Sequence, residues 1–196
     1  MSRQFEIEES ILVDAAPEVL YGLVSDLRAM GRWSPECRRV WLAGPAARPG
    51  TRFVGFNRRG PFVWFTTGRV TVADPGAEFT FDVGVFGLPI ARWRYRFEPE
   101  GTGTRVTESW QDLRTGRGAR AAELLGLVFA GTGPERRIEV NRAGIRTTLA
   151  RLATAAAGAR PPRPPLSCSE DCPEPNLGAA RRQPVVAAQQ CGGLRE

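Results

Sequence analysis

An alternation of apolar and polar residues runs through the middle of the chain and predicts a series of β-strands. It is clearest at residues 91–99, where Trp93, Tyr95 and Phe97 fall on one face and three arginines fall on the other. A period of two is typical of a strand with one buried and one solvated face. Similar patterns predict six further strands, at residues 5–14, 37–43, 51–58, 62–74, 78–86 and 104–113.

The segments between these strands are rich in turn-forming residues. RRGP at 58–61, DPGA at 74–77 and PEGTG at 99–103 are examples. Glycine and proline favour tight turns in such connections, and tight turns join antiparallel neighbours. The central part of the chain is therefore predicted to form an antiparallel meander.

Helical periodicity replaces the strand pattern on both sides of this meander. Within residues 18–27, four apolar side chains have the i, i+3, i+4, i+7 spacing of an amphipathic helix. A second short helical turn is predicted at 28–33. It should end there, because Ser34 precedes Pro35 and the residue before a proline avoids the helical conformation. Residues 119–130, rich in alanine and leucine, predict another short helix.

The strongest helical pattern follows the meander. Thr132 and Glu135 have the spacing of a capping box, with Pro134 in the first turn, and the helix is predicted to end at about Ala157. Its inward stripe consists of Ile138, Asn141, Ile145, Leu149, Leu152 and Ala156.

These elements predict an α+β fold. A sheet with one apolar face must bury that face against another layer, and the last helix is the largest partner in the sequence. We therefore expect a curved antiparallel sheet of about seven strands around a long C-terminal helix, with two short helices after the first strand. Such a sheet is expected to leave a cavity between itself and the helix.

The composition changes after residue 157. Residues 159–176, ARPPRPPLSCSEDCPEPN, are rich in proline and have no hydrophobic period. Segments of this kind do not bury enough apolar surface to fold. We therefore predict one folded domain at 1–157 and a disordered tail at 158–196.

The composition also excludes several kinds of chemistry. The chain has no histidine, which removes the commonest general base and the commonest zinc ligand. Cys37 is the one cysteine in the predicted domain, and the three in the tail match zinc spacing poorly. The sequence has no Walker loop and no dinucleotide-binding glycine motif. We therefore predict no metal site and no cofactor.

The charge pattern bears on partners and location. The net charge of +6 comes from arginines that are scattered along the chain, whereas nucleic-acid-binding proteins concentrate them on one face, so no nucleic-acid partner is predicted. The N-terminal segment lacks the apolar core of a signal peptide. The most apolar stretch, at 124–131, is too short to span a bilayer. A cytoplasmic protein without a membrane span is expected, and its oligomeric state stays open.

Five stretches of the sequence have a familiar pattern: ILVDAAPEVLYGLVSDL at 11–27, GRWSPE at 31–36, GRVTVADPGAEFTFDV at 68–83, WRYRFEPEGTGTRVTESW at 93–110 and NRAGIRTTLARL at 141–152. Together they resemble the START-like superfamily, also called the helix-grip, Bet v 1-like or SRPBCC fold. Within it, they are similar to the polyketide cyclase/dehydrase and lipid-transport branch. The resemblance covers residues 5 to about 155. It implies a helix-grip domain that binds or transforms a ligand, and no catalytic signature that transfers residue by residue.

Glu108 is the candidate catalytic residue. It shares a strand face with Val106 and Trp110, which places it on the predicted interior face. A carboxyl group lining the cavity would have a raised pKa and would suit a general acid or a hydrogen-bond donor. The alternatives are an ion pair with a strand arginine, or a β-bulge that turns Glu108 outward.

The candidate ligand-binding residues are aromatic, amide and aliphatic side chains, most of them on predicted strands or on the inward stripe of the long helix. They are Trp33, Asn57, Trp64, Phe81, Trp93, Tyr95, Trp110, Asn141 and Ile145. For the aromatic residues, the alternative is ordinary core packing. For the two asparagines, the alternative is a hydrogen bond to a backbone group at a strand end or helix start.

Three functions remain open at this point. The first is binding of a small hydrophobic molecule, such as a lipid, a quinone or a polyketide, and the lack of an evident nucleophile–base pair favours it. The second is a polyketide cyclase or dehydratase, in which the cavity enforces a folded substrate conformation. The third is an interaction module that recruits a partner through the proline-rich tail. Whether the protein is an enzyme stays open.

Overall fold

A computed structural model describes residues 6–114 and 134–158 of the 196-residue chain. The first part contains β1 (Glu6–Val13), α1 (Pro17–Ser25), a 3-10 turn (Leu27–Ala29), α2 (Met30–Trp33) and β2 (Cys37–Leu42). It continues with β3 (Arg52–Arg59), β4 (Phe62–Asp74), β5 (Glu78–Val85), β6 (Leu88–Glu100) and β7 (Gly103–Asp112). The last described element is the long helix α3 (Pro134–Gly158).

The seven strands form one antiparallel sheet in the order β1-β7-β6-β5-β4-β3-β2. Strands β2 to β7 follow one another as a meander, and β1 closes the sheet by pairing with β7. Register shifts place an extra residue in β2, β4 and β6, and such irregularities bend strands. The helix-grip architecture predicted from the sequence is thereby confirmed.

The register of β6 and β7 follows the predicted alternation. Trp93 lies opposite Trp110, and Tyr95 lies opposite Glu108. Cross-strand neighbours on the same face are in direct side-chain contact range. The interior face of the sheet therefore carries a buried carboxyl among aromatic rings.

The hydrophobic core lies at the end of the sheet where β5 begins and β6 ends. Helix α1 covers this end, and its Tyr21 ring makes edge contacts with Phe79 and Phe97, both with ring centroids 6.1 Å away. Leu20 of α1 and Leu152 of α3 are fully buried beside them. Burial of each such side chain stabilises the fold by about 1.5–3 kcal/mol. The second half of α3 is thus fixed by packing.

The outer face of the sheet accounts for the strand arginines. Arg92 pairs with Asp82 on β5, and its Nε lies 2.7 Å from Oδ1. Arg94 and Arg96 form comparable pairs with Glu78 and Glu8. Each of these pairs is partly exposed, so each contributes at most about 1 kcal/mol.

Glu9 breaks the outward pattern of acidic residues on β1, and the structure gives the reason. It lies opposite Glu108 on the interior face of the sheet edge, where α3 crosses β1. Arg146 of α3 donates to both Glu9 oxygens at 3.1 Å, and Arg142 Nε lies 3.3 Å from Oε1. This carboxylate therefore ties the helix to the first strand.

The start of α3 at Pro134 agrees with the predicted first turn, whereas Thr132 of the capping box lies outside the described residues. The predicted short helix at 119–130 also lies outside them, as does the predicted tail beyond residue 158. Among the described helices, none has the length and apolar character needed to cross a membrane.

Candidate functional site

A cavity of about 690 Å³ lies between the sheet and the first half of α3. Pockets of roughly 300–1,000 Å³ accommodate drug-sized molecules. Most of the residues singled out from the sequence line this cavity: Asn57, Trp64, Phe81, Trp93, Tyr95, Glu108, Trp110 and Asn141.

Trp33 and Ile145 were also predicted as ligand contacts, but they are not among the lining residues. The indole Nε1 of Trp33 donates to the Leu23 carbonyl at 3.2 Å, and its ring packs against the core. Ile145 is buried in the core cluster with Leu149. Ile145 faces inward, as the helical periodicity predicts, and both side chains pack against protein atoms instead of lining the cavity.

The cavity opens where β3 turns into β4 and β5 turns into β6. Val63 and Phe86, next to these turns, line the cavity and have exposed fractions of 64% and 66%. Phe86 and Gly87 join β5 to β6 with φ values of 50° and 78°, as a type I′ hairpin turn requires. The Phe86 ring packs edge-on against Phe65, with centroids 5.6 Å apart. Exposed apolar side chains therefore flank this opening, called the cavity mouth below.

Glu108 and Tyr95 form a buried pair in the cavity wall. The Tyr95 hydroxyl donates to Glu108 Oε1 at 2.8 Å. Glu108 is only 2% exposed, and its other oxygen, Oε2, has no hydrogen-bond partner among the described residues. The interior placement leaves no ion pair with a strand arginine, because those arginines lie on the opposite face of β6. One oxygen of the carboxyl group is thus held in place and the other is left for a ligand.

The environment of this pair favours its neutral forms. Burial raises the pKa of Glu108 to about 8, and the hydrogen bond from Tyr95 offsets part of that rise. Burial, together with the nearby Glu108, also raises the pKa of Tyr95 well above its ordinary value. At neutral pH the pair is therefore protonated, and Glu108 is able to donate a hydrogen bond or a proton.

Asn141 of α3 supplies a second donor to the cavity. Its side chain is 4% exposed, and Nδ2 has no hydrogen-bond partner among the described residues. Thr148, two helical turns further along α3, differs because its hydroxyl donates to the Gly144 carbonyl at 3.0 Å. A buried donor without a partner costs about 1–3 kcal/mol. An oxygen atom of a bound molecule would remove that cost.

Asn57 has its amide group occupied within the sheet. Nδ2 donates to the Gly55 carbonyl at 3.3 Å and lies 3.4 Å from Thr66 Oγ1. The backbone alternative considered for this residue therefore describes its amide nitrogen, although the side chain still lines the cavity.

Cys37 also lines the cavity, as a free and buried thiol at the start of β2. Burial raises its pKa to about 11, although a backbone hydrogen bond with Arg39 and the nearby charge of Arg38 both act to lower it. The thiolate is the nucleophilic form of cysteine. Cys37 therefore offers the site a small neutral side chain and not an activated nucleophile.

Glu36 forms ion pairs with two arginines beside the cavity mouth. Arg137 of α3 donates to both Glu36 oxygens, at 3.1 and 2.6 Å, and Arg59 Nε lies 3.6 Å from Oε1. The Arg137 guanidinium also lies over the Trp64 ring, 5.7 Å from its centroid, in cation–π geometry. These contacts tie the start of α3 to the strand ends.

Sequence reasoning missed the residues of this arginine cluster and Cys37. A signal was available for Arg59, because it shares the inward face of β3 with Asn57 at a period of two. The sequence gives no signal for the contact between Arg137 and Glu36, because 101 positions separate them in the chain. The spatial neighbours of such residues follow from the tertiary fold alone.

Comparisons with known proteins agree with this architecture. The sequence model of a family described as polyketide cyclase / dehydrase and lipid transport matches residues 4–157. Comparison with curated protein sequences returns no match.

Among solved structures, the di-domain ARO/CYC BexL from the BE-7585A biosynthetic pathway is similar, with a TM-score of 0.58 and 20% identity over 81% of this chain. The match covers 51% of BexL, so the chain spans about half the length of that protein. The Zhui aromatase/cyclase from Streptomyces sp. R1128 has a TM-score of 0.58 and 14% identity, covering 79% of this chain and 94% of that one. For Ara h 8.0201 the values are 0.59 and 9%, covering 79% and 99%. At these identities the similarity establishes the helix-grip fold.

Proposed function

Because the chain belongs to the polyketide cyclase/dehydrase and lipid transport family, we propose that its cavity binds a small apolar molecule that carries a carbonyl or hydroxyl oxygen. Lipids, quinones and polyketides all fit this description. The apolar body would lie against the aromatic wall formed by Phe81, Trp93 and Trp110.

The observation that carries this proposal is the pair of unpartnered polar atoms in the cavity wall. Glu108 Oε2 and Asn141 Nδ2 are buried without a hydrogen-bond partner among the described residues. At neutral pH, both groups are donors, because burial keeps Glu108 protonated. Two donors in an apolar cavity are complementary to an oxygen that accepts hydrogen bonds.

A cyclase or dehydratase is the second candidate, and the raised pKa of Glu108 supports it. A carboxylic acid that stays protonated near neutral pH is suited to general acid catalysis. The cavity would hold the substrate in a folded conformation, which lowers the entropic part of the barrier. The names of two similar structures, both aromatase/cyclases, point in the same direction.

Native mass spectrometry of the freshly purified protein is the first test. A co-purified apolar molecule would identify the ligand class directly. Binding is then measured for a matched pair, 2-undecanone and undecane, by displacement of a fluorescent apolar probe. We expect the ketone to bind about tenfold more tightly, since one hydrogen bond contributes about 1–1.5 kcal/mol.

Two variants connect this preference to the polar atoms. Asn141→Leu should abolish most of the difference between ketone and alkane while leaving alkane binding in place. Arg105→Gln, on the outer face of β7, serves as the control and should preserve the difference. Equal binding of both probes by the unaltered protein would contradict the proposal, and so would an absence of binding by either.

Glu108→Gln separates the two candidate functions. Glutamine keeps a donor at this position but does not transfer a proton at neutral pH. A binding protein should therefore retain its affinity in this variant. A cyclase should retain affinity and lose turnover by about 10²–10⁴-fold, measured with the compound that mass spectrometry identifies.

A further inference from the structure

Arginines are concentrated at the cavity mouth. Among the described residues that line the cavity, five are arginines, called the mouth arginines below: Arg38, Arg58, Arg59, Arg114 and Arg137. They come from four places in the chain, and the antiparallel register brings the end of β3, the start of β2 and the end of β7 to the same end of the sheet. The start of α3 joins them through the contact between Arg137 and Glu36.

Two carboxylates of the described residues contact members of this group. Glu36 is shared by Arg59 and Arg137. Asp112 pairs with Arg114, whose Nε and Nη2 lie 2.8 and 2.6 Å from its two oxygens. In the described part of the chain, these are the ionised acids in contact with the mouth arginines, because the third nearby carboxyl, Glu108, stays protonated.

Arg38 and Arg58 are the exposed members of the group. Arg58 Nε donates to the Gly60 carbonyl at 3.1 Å, and neither side chain forms an ion pair with a carboxylate of residues 6–114 or 136–158. Their charges are therefore available to a molecule entering the cavity. An opening lined by one sign of charge above an apolar interior raises the local concentration of oppositely charged ligands.

We propose that the ligand is an amphipathic anion, whose carboxylate or phosphate group meets the mouth arginines while its apolar body lies in the cavity. This inference rests on the proposed function and adds a second polar group to the ligand, at the opposite end from the oxygen near Glu108. Guanidinium groups bind carboxylate and phosphate oxygens through paired, charge-assisted hydrogen bonds. The cation–π contact with Trp64 holds Arg137 in place for such a bond.

Ligands that share one chain and differ in the head group test the proposal. Decanoate, decyl phosphate, decanol and decyltrimethylammonium are compared by displacement of a fluorescent apolar probe from the full-length protein, at low and at high ionic strength. We expect decanoate or decyl phosphate to bind about tenfold more tightly than decanol, because one charge-assisted hydrogen bond contributes at least about 1.4 kcal/mol. The cationic ligand should bind most weakly, and added salt should reduce the advantage of the anions.

Variants of the mouth arginines test whether these residues cause the tighter binding of the anions. The double variant Arg38→Gln/Arg58→Gln breaks no ion pair with a described residue and should remove several-fold of the preference for the anion without changing decanol affinity. Arg137→Gln should have a larger effect. Arg105→Gln removes one charge from the outer face, where Arg105 pairs with Glu100, and should change neither affinity.

The outcomes keep the two proposals apart. If decanol binds as tightly as both anions, the amphipathic-anion proposal is overturned and the proposed function stands. If none of the four ligands binds, both fail. Preference for decyl phosphate over decanoate would identify a phosphate head, and the reverse preference would identify a free carboxylic acid. An anion preference that survives in all the mouth variants would also overturn the proposal.

Discussion

Replacement of Glu108 with glutamine removes the ionisation of this buried carboxyl and keeps the size and shape of its side chain. The glutamine carbonyl can accept the Tyr95 hydrogen bond that Glu108 Oε1 accepts at 2.8 Å. The amide nitrogen then occupies the place of the unpartnered Oε2. Folding stability should therefore differ between the two proteins through the titration of Glu108.

The sign follows from the raised pKa. The ordinary value of 4.5 applies to the unfolded chain, and burial raises the pKa of Glu108 to about 8 in the folded state. Between these values the folded protein holds a proton that the unfolded chain has released, so stability falls as pH rises. The stability that protonated Glu108 contributes is fully present below about pH 4.5 and is lost progressively as the pH rises to about 8.

The magnitude follows from the same two values. Each pH unit corresponds to about 1.4 kcal/mol. Between pH 5 and pH 7 the wild-type protein should lose roughly 3 kcal/mol of unfolding free energy relative to Glu108→Gln, and the total loss up to pH 8 is about 5 kcal/mol. Typical domain stabilities are about 5–15 kcal/mol, so this is a large fraction.

Urea denaturation at pH 5, 6 and 7 measures the difference between the two proteins. Glu100→Gln provides the control, because the hydrogen bond from Arg105 lowers the pKa of Glu100 from its ordinary value of 4.5. The stability from that pair is lost only as pH falls below this value, so the difference between Glu100→Gln and the wild-type protein should stay constant from pH 5 to pH 7. If wild-type and Glu108→Gln curves run parallel across this range, Glu108 is not held protonated by burial, and the reasoning about its donor role is wrong.

Two further changes test the packing and the polar cavity wall. Gly68→Ala should lower the unfolding free energy by about 1–3 kcal/mol, because a methyl group there would overlap the Phe53 ring, whereas Gly22→Ala, with open space in α1, should raise it by up to about 1 kcal/mol; equal effects in urea denaturation would contradict this packing. Asn141→Leu should preserve or raise stability by removing an unpaired buried amide, and a calorimetric loss of several kcal/mol would show that Nδ2 has a partner.

Local periodicity predicted most of the fold. The alternation in β6 assigned Trp93 and Tyr95 to the interior, and the observed register agrees. The same reasoning placed Glu108 inward, where burial and the contact with Tyr95 are observed. A period of two is enough for such assignments, because it is set by backbone geometry and not by the partners of a strand.

It was harder to predict which residues of an inward stripe line the cavity and which pack in the core. Asn141 and Ile145 lie one helical turn apart on the same face of α3, yet the first lines the cavity and the second packs in the core. Periodicity gives the direction of a side chain but not the distance to what lies opposite. Glu9 is a related case, since its partner Arg146 is 137 residues away in the chain.

The placement of β1 has a consequence for how the domain assembles. β1 is synthesised before β7, its partner in the sheet. The ladder that pairs Ile7 with Trp110 therefore cannot form until β7 is available. Pairing across such a sequence separation is slow, because loop-closure entropy opposes it. Until it occurs, β7 presents an unpaired edge that invites association with other chains. Pairing of β1 with β7 is therefore the expected rate-limiting step of folding, and removal of the first strand should promote aggregation.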